Sequence, residues 1–329
     1  MSESLPSVTV IIAARPDQTK VKAADAALRL DYPADKLEII LARGRQPSVQ
    51  RNAAIKAARG ELIYFLDDDS VAPPGNLRQV VLAFADPQVQ MLGGPNLCPP
   101  DAPELEQVFA LVLGSWLAFG PSRARYTKVG GQRASGEKEL ILCNLLARKT
   151  PLRELGGFDE SLYPNEENAL MDGLQQRGGK LLYDPEFFVW RRPRRTLKSF
   201  AKMLLTYGRG RAEQFRRLPT PGSMLNFVPP LLVVYLLMLP VLGVMTFGPR
   251  AEWLRNAFFL PLLAYALAVV GQTAALLSRG GTWRALKAAP LLVLSHLLYG
   301  LGFWRGLFTH LRTDAAERAG EVRLEVIAR

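Results

Sequence analysis

Three long apolar blocks, residues 227–247, 257–277 and 286–308, constrain this chain more than any other feature of its sequence. Each approaches or exceeds the ~20 residues with which a helix crosses the hydrocarbon of a bilayer. Three such blocks in series leave no polar face for water, so helices of a soluble core are the poorer reading. Before Asn226 the sequence is an ordinary mixture of charges and aliphatic residues. The 329 residues therefore divide into a globular part, of the roughly 200 residues that one α/β domain needs, and a helical membrane part. The expected boundaries are 1–196 for the globular domain, 197–225 for a basic amphipathic segment, 226–311 for three transmembrane helices and 312–329 for a tail.

Charge assigns the sides of the membrane. Forty-one Lys and Arg against 30 Asp and Glu give a formal charge of +11, a balance that suits nucleic acid, anionic lipid or phosphorylated substrates. Between residues 191 and 217 ten Lys or Arg stand against one acid, Glu213, directly before the first apolar block. This is the pattern of a segment lying on anionic lipid at a cytosolic face, and nucleic acid is not an expected partner. Within it Phe200, Met203, Leu204 and Tyr207 share one helical face, a stripe that packs on a core or lies in the interface. Arg279, Arg284 and Lys287 mark the cytosolic side again. Three crossings then place the tail on the opposite side. His296 and Gln272 within the spans are either helix contacts or the lining of an interior path.

The globular half reads as alternating strands and helices. Residues 8–14, 37–42 and 62–66 are apolar runs of strand character, separated by helical stretches at 19–30 and 47–58. Such alternation predicts a largely parallel sheet with helices on both faces. Further strands are expected at 89–93, 140–147, 181–183 and 187–190, and helices at 77–84, 108–119 and 165–177. The start, MSESLPSVTVII, has no basic n-region, so no cleaved signal peptide is expected. The two cysteines, Cys98 and Cys143, have neither metal spacing nor a CxxC pattern, in keeping with a reducing compartment. Both histidines, His296 and His310, lie in or beside the last apolar block. A metal in the globular half must then be a hard ion held by oxygen, and a general base there must be a carboxylate.

LIYFLDDDS (residues 62–70) sharpens this. A buried strand ends in three adjacent carboxylates, which repel one another unless a cation or solvent intervenes, at the strand end where open α/β sheets keep their ligands. Asp67 and Asp69, one residue apart, reach the same side of an extended segment. That suits an octahedral Mg2+ or Mn2+ that also takes phosphate oxygens; a solvated acidic loop is the bland alternative. A second acidic cluster, Asn165-Glu166-Glu167-Asn168, opens a helix after the turn Gly156-Gly157-Phe158-Asp159. Acids in a first helical turn are ordinary dipole partners. Here the basic run Arg191-Arg192-Pro193-Arg194-Arg195 that follows raises the catalytic reading.

Over residues 7–217 the chain resembles the family 2 glycosyltransferases, and within them the membrane-anchored exopolysaccharide enzymes of the succinoglycan type. The resemblance rests on VTVIIAARPD, RNAAIKAARGELIYFLDDDS, LGGFDESLYPNEENAL and PEFFVWRRPRRTLKSF followed by TYGRGR. It implies a GT-A fold, Rossmann-like with a mostly parallel sheet, in a cytosolic domain followed by an all-α transmembrane region at the inner (plasma) membrane. Asp67 and Asp69 match the family's DxD motif, which holds the metal and the nucleotide diphosphate, with Asp68 beside them. Glu167 matches the acidic general base and Glu166 the acid before it. Asp17 stands at the nucleoside-contacting position after the first strand. Arg51 belongs to the nucleotide-binding motif, Arg194 matches an arginine that approaches the diphosphate, and Arg192 stands where many relatives have histidine. Where the family places an aspartate-rich turn after the second strand, this chain has Ala42-Arg43-Gly44-Arg45. The implied reaction is an inverting, metal-dependent transfer from a nucleotide-sugar donor to a lipid-linked, polyprenyl-type acceptor. A polyprenyl-phosphate monoglycosyltransferase using Arg209 and Arg211, and a noncatalytic membrane scaffold, are the alternatives. The sugar, the nucleobase and the oligomeric state stay open.

Overall fold

The computed structural model describes residues 5–162, 166–217, 219, 221–244, 252–309 and 320–328. Residues 163–165 of the second acidic motif, 245–251 between the first two apolar blocks and most of the tail, 310–319, lie outside the described residues. The chain forms two compact units. The first comprises residues 1–100, 121–192 and 312–329, the second residues 101–120 and 193–311.

The first unit opens with β1 (Val8–Ala14), α1 (Lys22–Ala27), β2 (Leu37–Arg43), α2 (Pro47–Ala57), β3 (Leu62–Asp67) and α3 (Asn76–Val80). It continues with β4 (Val89–Gly93) and β5 (Asn96–Leu97); α4 (Glu104–Leu113) and α5 (Trp116–Phe119) belong to the second unit. The chain returns through β6 (Arg133–Ala134), β7 (Asn144–Arg148), α6 (Lys149–Glu154), α7 (Glu166–Gln176), β8 (Lys180–Tyr183) and β9 (Val189–Trp190). After α8 (Leu197–Arg217), α9 (Val228–Val244) and α10 (Glu252–Phe308) of the second unit, β10 (Arg323–Ala328) rejoins the first.

Eight strands form one mixed sheet in the order β10-β2-β1-β3-β7-β4-β8-β6. β2, β1 and β3 run parallel in close register, Ile11 facing both Ile40 and Phe65. β7 reverses between β3 and β4, and β10 and β6 are antiparallel at the two edges. Alternate residues of a strand point to opposite faces. Val8, Val10, Ile12, Ile39, Leu41 and Tyr64 accordingly pack on one side, and Ile11, Ile40, Ile63, Phe65 and Leu145 on the other. Sequences apolar on both faces belong in the middle of a covered sheet. That is why these three runs were readable as strands, and why their carboxyl ends, Ala14, Arg43 and Asp67, share one edge.

Some expected elements shift. The run expected as a strand at 140–147 begins pairing only at Asn144, because Ile141 to Asn144 closes a turn, Asn144 N–H donating to the Ile141 carbonyl at 3.2 Å. The helix expected at 108–119 is two pieces, α4 starting early at Glu104 and ending at Leu113, before Gly114. The tail is the larger correction. β10 pairs with β2, Arg323 opposite Arg43 and Val326 opposite Ile40, so this part of the tail lies on the same side of any membrane as the eight-stranded sheet. An unpaired β2 would expose a row of backbone donors and acceptors, and the tail's alternating RLEVIA covers it.

In the second unit, α8 crosses the end of α10 at backbone contact. A Cβ at Gly208 would stand 2.0 Å from the Tyr299 carbonyl oxygen, and one at Gly302 2.2 Å from that of Leu205. Phe109 of α4 stacks on Phe200 of α8, ring centroids 4.2 Å apart. Two stretches are long and apolar enough to cross a membrane, Met224–Val241, which begins just before α9 and runs along it, and Asn256–Phe308 of α10, with mean hydropathies of 2.0 and 1.8. α10 runs through the second and third expected spans and is broken at Gly281, whose φ of 72° is left-handed. His296 and Gln272 make helix contacts: Nε2 and Nδ1 of His296 meet the Leu117 carbonyl and the Tyr265 hydroxyl, and Gln272 Oε1 accepts from Leu117 N–H.

Candidate active site

Asp67 is the last residue of β3, and the chain turns at once, Ser70 N–H donating back to the Asp67 carbonyl at 3.0 Å. Ser70 Oγ donates to the Cys143 carbonyl beneath it. Val71 then pairs in antiparallel fashion with Trp190, the last residue of β9. That bridge brings the next residue, Arg191, back over the aspartates. Its Nε donates to Asp69 Oδ1 at 2.6 Å and its Nη2 meets Asp67 Oδ2 at 3.1 Å. Burial acts to lower the Arg191 pKa, and Asp67 with its neighbours more than offsets this, so the guanidinium stays charged. The carboxylates of Asp67 and Asp69 thus converge on one cation. Asp68, between them, accepts Ala23 N–H through its backbone carbonyl.

Arg51 joins the two acidic sites. It lies on α2, which starts with proline at its first position, where no N–H is needed. Its side chain, 7% exposed, places Nη2 2.9 Å from Asp67 Oδ1 and Nη1 3.4 Å from Glu166 Oε1. The next residue, Asn52, fixes the distance between the motifs. Asn52 accepts Phe158 N–H at 2.8 Å and donates to the Phe158 carbonyl and Glu160 Oε1, both at 2.9 Å. Gly157 has a φ of 83°, and a Cβ there would stand 2.3 Å from Asn52 Oδ1, so no other residue fits this turn.

Glu166 and Glu167 begin α7. Glu166 is buried, and burial first, then the adjacent Glu167, push its carboxyl from 4.5 up to about 8 against the opposing pull of Arg51. Burial thus favours the protonated form of Glu166, which relieves the repulsion between neighbouring carboxylates. Glu167 is half-buried beside it. Among the remaining expected residues, Asp17 is exposed in the turn after β1, Arg192 is half-buried after β9, and Arg194 belongs to the second unit. Cys143 is a free thiol whose pKa burial raises to about 11.

Two residues of this edge escaped the sequence reading. Arg191 was passed over for its neighbours, because only the Val71–Trp190 bridge decides which arginine of the run faces the aspartates. Glu325 was missed because β10 was not read as a strand. Its Oε2 accepts from Arg43 Nε at 3.0 Å.

The donor set fits a hard divalent ion. Asp67 and Asp69 present oxygens to a shared cation position, while among the described residues no group of three His, Cys, Asp or Glu could hold a metal. Two carboxylates completed by phosphate oxygens and water are the usual Mg2+ arrangement.

A family model described as "Glycosyltransferase like family 2" matches residues 2–206. The pre-mycofactocin glycosyltransferase of Mycobacterium tuberculosis (strains CDC 1551 / Oshkosh and ATCC 25618 / H37Rv) is 25% identical over 203 residues, 58% of this chain and 40% of that protein. The succinoglycan biosynthesis protein ExoA of Rhizobium meliloti (strain 1021) is 27% identical over 221 residues, 64% of this chain and 59% of ExoA. The chain thus matches less than two thirds of the length of either relative. The mannosyltransferase PcManGT from Pyrobaculum calidifontis, solved in complex with GDP-Man and Mn2+, superposes with a TM-score of 0.54 at 18% identity, covering 88% of this chain and 87% of its own. At that identity the likeness establishes a common GT-A fold.

Proposed function

Since the chain belongs to the family 2 glycosyltransferases, we propose that it transfers a sugar from a nucleotide-sugar donor to a lipid-linked, polyprenyl-type acceptor at the cytosolic face of a membrane, by an inverting, metal-dependent displacement. The observation that carries this reading is the meeting of Asp67 and Asp69 on one cationic position, tied through Arg51 to the Glu166–Glu167 pair.

The acceptor hydroxyl oxygen attacks the anomeric carbon from the face opposite the leaving group. Glu167 takes the hydroxyl proton as the new C–O bond forms. The bond between the anomeric carbon and the diphosphate oxygen breaks, and the nucleoside diphosphate departs with that electron pair. Glu166, protonated and hydrogen-bonded to Arg51, fixes the start of α7 and keeps a second negative charge away from Glu167. Arg191 meets the diphosphate once it is released from the carboxylates, joined by Arg192. Mg2+ or Mn2+ held by Asp67 and Asp69 would supply the charge that the departing diphosphate needs. The Pyrobaculum enzyme of the same fold carries GDP-Man and Mn2+, in keeping with this chemistry.

For the membrane, β10 in the catalytic sheet requires an even number of crossings between residues 193 and 322. We infer that α9 and the first half of α10 form the crossing pair. Their large apolar side chains, Leu237, Val241, Leu263, Leu267 and Val270 among them, are exposed, and Tyr235 Oη donates to the Phe258 carbonyl between them. The second half of α10 buries Ala285, Ala288, Leu292, Ser295 and His296 instead. The basic α8 then rests on anionic lipid. The test is divalent-dependent binding of nucleoside diphosphates, which Asp69→Ala should abolish.

A further inference from the structure

Arg43 and Glu325 form an ion pair across 282 positions of sequence, at the end of the sheet where the donor site has no acidic turn. We propose that Glu325, on the C-terminal strand, is a donor-specificity residue that with Arg43 forms the nucleobase end of the donor site. The inference rests on the nucleotide-sugar reading above.

The direction of the donor follows from the edge. Asp67 and Asp69 hold the diphosphate at the end of β3. Glu166 and Glu167 begin α7, which packs on β8, on the far side of β3 from β1 and β2, so the sugar and acceptor occupy that side. The nucleoside runs the other way, over the end of β1 toward β2. Two strand spacings separate β3 from β2, about 10 Å, the order of the distance from a β-phosphate to its base.

At that distance stands Arg43. Its Nη1 donates to the carbonyls of Gln18 at 2.8 Å and Arg15 at 3.3 Å, which ties down the turn carrying Asp17. Its Nε is held by Glu325, and Nη2 takes no part in these bonds. The side chains are 18% and 27% exposed, so the pair is fixed yet reachable from the edge. Among the described residues, Glu325 Oε1 has only the outlying Arg323, 3.4 Å away and 79% exposed, as a competitor. Arg323, Glu325, Arg43 and Leu41 share one face of the sheet, because β10 and β2 pair with Arg323 opposite Arg43 and Glu325 opposite Leu41. A guanidinium N–H beside a carboxylate oxygen matches a nucleobase edge that offers an acceptor beside an N–H. A site built to hydrogen-bond such an edge rejects bases that leave its groups unpaired.

A purely structural role for β10, covering the β2 edge, would weaken every ligand alike. The full-length parent, Glu325→Gln and Glu325→Asp are therefore titrated with UDP, GDP, ADP and pyrophosphate, each with Mn2+. Glu325→Gln should weaken the parent's preferred nucleoside diphosphate by about tenfold or more and change the ranking of the three, with pyrophosphate held within about twofold. Glu325→Asp should restore the ranking in part. An unchanged ranking, or pyrophosphate weakening in parallel, overturns the proposal. A parent that binds pyrophosphate but no nucleoside diphosphate overturns the nucleotide-sugar reading, and this inference with it.

Discussion

Replacing Glu166 by glutamine separates burial from charge at the second acidic site. Burial and Glu167 raise this carboxyl from 4.5 to about 8. The unfolded chain loses the proton near pH 4.5 and the folded protein only near pH 8, so within that window the folded state binds more protons. The stability this group contributes is therefore complete below pH 4.5 and is lost as pH rises to 8. At 1.36 kcal/mol per pH unit the loss amounts to at most about 5 kcal/mol. Glutamine keeps the shape and cannot ionise. With about 2–4 °C per kcal/mol for a domain of this size, the melting temperature of Glu166→Gln relative to the parent should rise by roughly 10 °C between pH 5 and pH 9. The assay is thermal unfolding by intrinsic fluorescence in detergent with a chelator present, across that pH range. Parallel profiles, or a gap that widens toward acid, would refute the assignment of a proton to Glu166.

Two further outcomes follow from the architecture. Reporters joined before residue 5 and after residue 329 should be found on the same side of the membrane, because β10 pairs with β2; opposite sides would contradict the strand. Glu167→Gln should bind donor as the parent does and lose transfer by about a hundredfold or more, the usual effect of removing a general base. Retained transfer would place the general base at a residue other than Glu167.

What the sequence disclosed depended on how local the cause was. β1, β2 and β3 were legible because apolar runs covered on both faces need no partner to be recognised, and the DxD carboxylates followed from the end of the last. α2 was legible from its proline start. β10 was not, since RLEVIA reads as a strand only once an open edge exists at β2 to receive it. Arg191 could not be told from Arg192 or Arg194 without the Val71–Trp190 bridge. Glu166 and Glu167 are equivalent by composition, and only the packing of α7 buries the first and leaves the second half-exposed. Asn52 locks the Gly156-Gly157 turn to α2 through a contact 106 positions away, which its own motif does not disclose.

The measurement that bears most directly on the whole account is calorimetric titration of UDP and GDP into the full-length protein with Mn2+, with chelator, and into Asp69→Ala with Mn2+. Saturable binding of at least one nucleotide that requires both the metal and Asp69 is the predicted result. Binding that is equal with chelator, or equal in Asp69→Ala, would show that the carboxylates at the end of β3 do not form the donor platform.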